Sequence, residues 1–251
     1  LSVVTDSLIA VRHGLAERSG FAAELLDALR KNFSGADSFR AYLQGLPKYG
    51  NDDAEPDELA VRLAHRVSGM VYALRNPAGN PFLPDFSTPS THLLYGYHVG
   101  ATPDGRPARE MLGYGIDPRR ESARNGRIDQ LLSERKIQFG DFLGGYASHL
   151  GISPEVFRKG RDIPEKMELF TEKIIKPLFR FRDKVENSPY YVYFNIDSKL
   201  NLRKVLAEPK KYAPNGVYIM RIHGTFVNFL DLSPAIQNDI IARLDADETV
   251  A

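Results

Sequence analysis

The feature of this sequence that most constrains its fold is a break between two apolar runs. Residues 217–222 read Val-Tyr-Ile-Met-Arg-Ile, the composition of a buried strand, and the run stops at Gly224. Alternating aromatic residues follow up to Phe229, and Ser233 and Pro234 then provide the N-cap and first position of a predicted helix. A glycine between two apolar runs is typical of a bulge, a tight turn or a close backbone approach.

The segment before this glycine predicts a strand, a helix and a second strand. Residues 189–197 have the composition of a strand, residues 199–207 the pattern of a helix, and residues 208–212 that of a turn. Two strands joined by a helical crossover form a βαβ unit. We therefore expect the strands at 189–197 and 217–222 to belong to one parallel sheet.

The rest of the chain predicts mainly helices. Their expected ranges are 8–16, 21–33, 38–46, 56–74 and 165–182, the last kinked at Pro177. Residues 90–95 predict a short strand, and the charged, turn-rich residues 117–136 predict an exposed excursion. Asn51, Asp52 and Asp53 predict a turn and N-cap cluster, with a cation site as the weaker alternative.

Composition limits the chemistry that this chain can perform alone. It has no cysteine, which excludes disulfides, thiolate metal sites and a thiol nucleophile within the chain. The net charge is +1 with acids and bases interspersed, so neither nucleic acid nor a membrane surface is expected as a partner. No apolar run approaches ~20 residues, so no membrane span is predicted.

The start of the sequence gives two further expectations. The 251 residues begin without an initiator methionine and inside an apolar helical pattern, so we expect the later part of a longer protein, organised as one large or two small domains. The first residues also lack the basic region and cleavage site of a signal peptide, and a cytoplasmic location is expected.

Several motifs resemble one family of enzymes. The stretch Arg221-Ile-His-Gly-Thr-Phe226, followed by Asp231-Leu-Ser-Pro234, resembles the C-terminal end of the glycyl radical enzymes. That family includes pyruvate formate-lyase and the glycerol, propanediol and choline lyases. Further segments resemble it in the same order, at residues 5–8, 24–33, 47–53, 100–108, 194–196 and 208–212. Ordered co-occurrence is more specific than any one motif, and residues 47–53 are nearer the dehydratase and amine-lyase branch.

The resemblance implies an α/β fold, specifically the C-terminal half of a ten-stranded α/β barrel of the glycyl radical enzyme type, with surrounding helices and a C-terminal glycine loop. Residues 1–189 would form the C-terminal part of the barrel domain, and residues 190–251 the glycine radical domain. The implied function is the radical-storing portion or subunit of a lyase or dehydratase that cleaves C–C, C–O or C–N bonds.

The resemblance also implies roles for individual residues. Gly224 would store the radical, Arg221 would fix its loop through hydrogen bonds, and His223 lies beside it. Glycine suits this task because a side chain would crowd the planar geometry that a Cα radical needs.

A substrate site is implied at Ser90, Thr91 and His92, on a strand end. Taken alone, isolated histidines such as His92 and His98 more often satisfy local backbone groups than act as bases.

The implied chemistry requires partners. The thiyl radical would be carried by a cysteine on an N-terminal segment or separate subunit, and a radical S-adenosylmethionine activating enzyme would install the glycyl radical. No bound cofactor and no metal are expected, and the whole complex would be a homo-oligomer.

Two departures keep alternatives open. His223 stands where the family has a small residue, and Thr225 where it has an aromatic one. A non-catalytic homologue acting as a structural or regulatory partner, or a spare-part radical domain, remains an alternative.

Overall fold

The computed structural model describes residues 1–87, 91–119, 121–152, 154–176, 191–222 and 225–244. The chain forms two compact units, Leu1–Tyr146 and Ala147–Ala251. No helix among the described residues combines the length and apolar character needed to cross a bilayer.

The described part of the first unit is built from helices. They are α1 (Ser2–Glu17), α2 (Phe21–Arg30), α3 (Asp37–Gly45), α4 (Ala54–Ala73), α5 (Thr91–His98) and α6 (Arg127–Arg135), followed by a 3₁₀ turn at Phe139–Asp141. The first four confirm the predicted helices, with shifted ends. Asp53 is the N-cap of α4 and accepts a hydrogen bond from the Glu55 N–H at 3.1 Å, which confirms the turn and N-cap prediction there.

Close packing joins α1 to α2. The ring of Phe21 is buried against Gly14, where an added Cβ would lie 2.1 Å from the ring. Phe21 also belongs to an apolar cluster with Leu25, Phe39 and Leu43 of α2 and α3. A substituent at Gly14 would therefore force these helices apart.

The strand predicted at residues 90–95 is wrong for the residues that the structure describes, because Thr91–His98 form α5. The buried members of this helix are His92 and Gly96, which lie four residues apart and so share one face. A Cβ at Gly96 would meet the Glu110 carbonyl oxygen at 2.4 Å. Close contact with another backbone segment thus outweighs the β propensity of this stretch.

The exposed excursion predicted for residues 117–136 is also wrong. Asp117, Arg119 and Ser133 are buried, and α6 lies in this range. The two charged residues of this set have polar partners: Arg119 forms an ion pair with Glu121 at 3.0 Å, and Asp117 accepts a hydrogen bond from the Tyr146 hydroxyl at 2.8 Å. Charged side chains can be buried when they are paired in this way.

A buried arginine organises the loop between α5 and residue 110. The Arg106 guanidinium is fully buried and donates hydrogen bonds to four carbonyl oxygens, those of Val99, Gly100, Pro107 and Glu110. Its Nε also donates to the Thr102 hydroxyl at 3.2 Å. The residues on either side of the Pro-Asp-Gly turn therefore surround the Arg106 side chain.

The second unit combines strands and helices. In chain order it contains β1 (Ala147–Ile152), a 3₁₀ turn (Pro154–Phe157), α7 (Ile163–Phe170), a π-helical turn (Thr171–Ile175), β2 (Tyr191–Ile196), α8 (Lys199–Ala207), α9 (Pro209–Tyr212), β3 (Ile219–Ile222), β4 (Thr225–Asn228), a 3₁₀ turn (Phe229–Asp231) and α10 (Pro234–Arg243). The structure confirms the helix predicted at 199–207, and the predicted turn at 208–212 contains the short helix α9. The predicted kink at Pro177 lies outside the described residues.

The βαβ pairing predicted for this unit is wrong. Within the described residues β2 pairs in parallel with β1, and β3 pairs antiparallel with β4. The helix between β2 and β3 is present, but its buried side chains, such as Leu202 and Val205, pack with Met220 and Phe229 in an apolar cluster. The crossover is therefore held by this core and by side-chain hydrogen bonds instead of by a shared sheet.

Candidate functional site

The candidate site lies on the β3–β4 hairpin of the second unit. Ile222 and Thr225 are Cα partners in the antiparallel register, and the chain between them consists of residues 223 and 224. These two residues, His223 and Gly224, are predicted site residues, and they lie outside the part of the chain that the structure describes. The strands on either side of them are described, and they define the surroundings of the hairpin.

Arg221, the third predicted residue of this site, is held through its backbone. The side-chain amide of Asn195 in β2 donates to the Arg221 carbonyl oxygen at 2.8 Å and accepts from the Arg221 N–H at 3.1 Å. The guanidinium of Arg221 lies over the ring of Phe226, 5.5 Å from its centroid. Hydrogen bonds at Arg221 were expected, but the Asn195 partner was not identified, although residues 194–196 carry part of the family resemblance.

A second polar cluster fixes the start of β3. The Tyr218 hydroxyl donates to Oδ2 of Asp197 at 2.6 Å, and the Asn201 amide donates to both the Tyr218 oxygen and Asp197. Burial, followed by the hydrogen bond to Asp197, raises the pKa of Tyr218 above its usual value, so the phenol stays protonated. The sequence did not reveal this cluster because Tyr218 lies 17 positions from Asn201 and 21 positions from Asp197.

These two clusters border an open groove of about 330 Å³. Polar groups of Asn195, Asp197 and Tyr218 and apolar groups of Met220 and Phe226 face it. Phe226 is 70% exposed, whereas Met220 is buried, so the accessible apolar surface of the groove is that of Phe226. Such a surface is suited to contact with another polypeptide segment, since it offers hydrogen-bonding groups beside an exposed aromatic ring.

The predicted substrate residues lie in the first unit. Ser90 is outside the described residues, and Thr91 and His92 form the first turn of α5, not a strand end. His92 is buried, and its ring meets the edge of Tyr114 with centroids 5.2 Å apart. Among the described residues, no three His, Asp or Glu side chains are grouped to hold a metal ion.

Comparison with known proteins adds sequence and fold relationships. A family model described as pyruvate formate lyase-like matches residues 1–96. The isethionate sulfite-lyase of Bilophila wadsworthia is 28% identical over 249 residues, which cover 99% of this chain and 29% of that protein.

Solved structures agree in fold. A glycyl radical enzyme from Archaeoglobus fulgidus superposes with a TM-score of 0.82 at 26% identity, over 98% of this chain and 30% of that one. The B12-independent glycerol dehydratase from Clostridium butyricum gives a TM-score of 0.80 at 29% identity, over 96% of this chain and 29% of that one. The chain thus spans a little under a third of the length of these relatives.

Proposed function

Because this chain is related to the glycyl radical enzymes in sequence and in fold, we propose that it is the radical-storing portion or subunit of a lyase or dehydratase of this kind. It would contribute the C-terminal half of a ten-stranded α/β barrel, together with the glycine loop. Gly224 would hold the radical between turnovers, and a cysteine on another segment or subunit would pass it to the substrate.

The single observation that carries this proposal is the attachment of Arg221. The residue three positions before Gly224 has both backbone groups bonded to Asn195, at 2.8 and 3.1 Å. A stored radical must be held at a defined place, because hydrogen-atom transfer requires the reacting atoms to be close and oriented. Phe229, the first residue after β4, is fully buried, which fixes the chain at the end of the hairpin.

In the proposed reaction this chain would store the radical, and it would not supply the cysteine that reacts with the substrate. A radical at the Gly224 Cα is shared with the flanking amide groups, and a hydrogen atom moves from a cysteine S–H to that carbon when the thiyl radical forms. These 251 residues contain no cysteine, so this donor would lie on another segment or on a separate subunit. We propose that an activating enzyme of the radical S-adenosylmethionine type generates the glycyl radical, and that the complete assembly is a homo-oligomer.

A non-catalytic homologue is the second candidate, and Thr225 favours it. Thr225 is exposed at the start of β4, where the family has an aromatic residue directly after the radical glycine. A small polar residue there covers less of the preceding backbone than an aromatic ring does. In this alternative the chain would act as a structural or regulatory partner.

Electron paramagnetic resonance distinguishes the two candidates. The chain is incubated without oxygen with its cysteine-bearing partner, an activating enzyme and a reductant, beside a known glycyl radical enzyme as positive control. A stored radical gives a doublet from the remaining α-hydrogen, which collapses when glycine is deuterated. Gly224→Ala should abolish the signal, and Gly69→Ala, at an exposed position of α4 with open space for the added Cβ, should retain it. A silent native chain beside an activated control would contradict radical storage.

A further inference from the structure

A side chain, instead of a backbone ladder, connects the β3–β4 hairpin to β2. Within the described residues, β2 pairs with β1 and β3 pairs with β4. The amide of Asn195 nevertheless makes both hydrogen bonds that a neighbouring strand would offer to Arg221, one as donor and one as acceptor. Asn195 thus takes the place of a strand at a single residue.

This connection lies between a buried and an exposed part of the hairpin. Met220 of β3, and Phe229 directly after β4, are buried in the apolar cluster of the second unit. Beyond Arg221, Ile222 is half-buried, and Thr225 and Phe226 are exposed. The Asn195 hydrogen bonds therefore attach to β2 the part of the hairpin whose described residues include no buried apolar side chain.

We propose that Asn195 is a positioning residue that holds the hairpin against β2 through its two hydrogen bonds to Arg221, an attachment that we call the latch. Loss of its two hydrogen bonds would let Arg221, Ile222 and Thr225 separate from β2 while Met220 and Phe229 remain in the core. The effect of the latch on a radical rests on the proposed function. If Gly224 stores a radical, Asn195 limits both the installation of that radical and its loss to oxygen. A latch made by one half-buried side chain opens more readily than a strand ladder, because each ladder residue adds further bonds.

Hydrogen exchange tests the latch without any radical. In Asn195→Ala, the Arg221 amide should exchange roughly tenfold faster, the effect expected from losing one or two hydrogen bonds. Amides of α8 should keep their native rates, which reports that the core is intact. Asn201→Ala is the matched control, since it removes a nearby amide that bonds to Asp197 and Tyr218 but not to Arg221. Equal exchange at Arg221 in both variants would overturn the proposal.

A second variant separates latching from general destabilisation. Asn195→Asp has almost the same shape and keeps an acceptor for the Arg221 N–H, but its carboxylate faces the Arg221 carbonyl without a proton to donate. After correction for intrinsic rates, Arg221 exchange should be fast at neutral pH and return toward the native rate in acid, where the protonated carboxyl can donate. A pH-independent ratio to the native protein would count against a latch.

Formation and decay of the radical provide a further measurement, which separates failure of the proposed function from failure of the latch. In the assembled enzyme, Asn195→Ala should gain its doublet faster and lose it several-fold faster in air than the native protein and Asn201→Ala. If no variant forms a radical but the exchange results hold, the proposed function fails and the latch stands. If the native doublet forms and Asn195→Ala matches Asn201→Ala in exchange and in decay, the function stands and the latch is wrong.

Discussion

The phenol of Tyr218 and the carboxylate of Asp197 are joined by a hydrogen bond of 2.6 Å. This bond connects the residue before β3 to the residue after β2. Asp197 also accepts from the Ser198 N–H and from the Asn201 amide. Asp197 as a whole is 9% exposed, so its carboxylate depends on these three donors.

Replacing Tyr218 with phenylalanine should destabilise the protein by about 1–2 kcal/mol, because a buried carboxylate loses a charge-stabilising donor while the ring is retained. Urea denaturation monitored by circular dichroism measures the change. Tyr212→Phe provides the control, since no hydrogen bond of the Tyr212 hydroxyl is found among the described residues. A loss of the same size in both variants would show that the Asp197 bond is not the cause.

The contribution of Asp6 to the stability of the protein should fall as the pH rises from about 4 to about 7. The Asp6 carboxyl is buried in α1, and this burial raises its pKa to about 7. In that pH window the folded state holds a proton that the unfolded chain has released. Each unit of rise in pH therefore lowers the free energy of unfolding. Asp6→Asn retains an acceptor for the Tyr49 N–H, which lies 2.9 Å from Oδ1, and should remove this contribution, up to ~1.4 kcal/mol per pH unit.

The measurement is the free energy of unfolding of both proteins at several pH values. Asp27→Asn is a suitable control, because that carboxylate is 60% exposed and pairs with Lys31 at the surface. If the native protein and Asp6→Asn have parallel profiles between pH 4 and 7, Asp6 does not titrate in this range.

Lys136→Met should be among the more destabilising changes in the first unit. The Lys136 ammonium lies 2.7 Å from Oδ2 of Asp57, whose side chain is fully buried, and 2.6 Å from Asp52. Removal of the cation leaves the Asp57 carboxylate buried without its charge partner. Because Lys136 is itself 37% exposed, we expect a loss of roughly 2–3 kcal/mol, below the usual cost of breaking a fully buried pair.

A second substitution checks this explanation. Asp57→Asn in the Lys136→Met background should recover part of the lost stability, since it removes the isolated charge. Additive losses in the double variant would mean that packing, and not the unpaired carboxylate, causes the effect.

If the chain stores a radical as proposed, the two residues that differ from the glycyl radical enzyme pattern should affect that radical. Changing His223 to alanine and Thr225 to tyrosine restores the small residue and the aromatic residue of the family around Gly224. Compared with the native chain, the double variant should give a higher spin count and a slower decay, because the ring covers the adjacent backbone. In air, dioxygen adds at the radical carbon and should cleave the chain at residue 224, which gel electrophoresis detects.

Gly224→Ala in the same background should yield neither doublet nor cleavage. A radical that forms only in the reverted protein would identify the native chain as a non-catalytic homologue. Equal spin counts in the native and reverted chains would mean that His223 and Thr225 do not affect the radical.

The helices were predictable because their signals are local. The range 199–207 was predicted without error, and Asp53 caps α4 as the turn sequence indicated. The strand predicted at 90–95 failed because the close packing of Gly96 against Glu110 is a tertiary contact that leaves no periodic signal. The buried charges of residues 117–136 failed for the same reason, since a charged side chain is predicted to be exposed unless its partner is known.

The candidate site was only partly predictable. Resemblance directed attention to Arg221 and Gly224, but propensity could not show that β2 and β3 are joined by one amide side chain. Residues 195 and 221 are 26 positions apart, and many asparagines of this chain are compatible with turn chemistry as well. Spatial proximity was needed to find this contact and the Tyr218–Asp197 pair.

The Arg106 loop has a consequence for how its shape is encoded. The guanidinium donates to four carbonyl oxygens and to the Thr102 hydroxyl, and all five acceptors lie within twelve neighbouring positions, 99–110. Lysine would be unable to reproduce this arrangement, because one ammonium group lacks the planar set of five donors. Arg106→Lys should therefore leave at least two of the five acceptors in this loop without a donor.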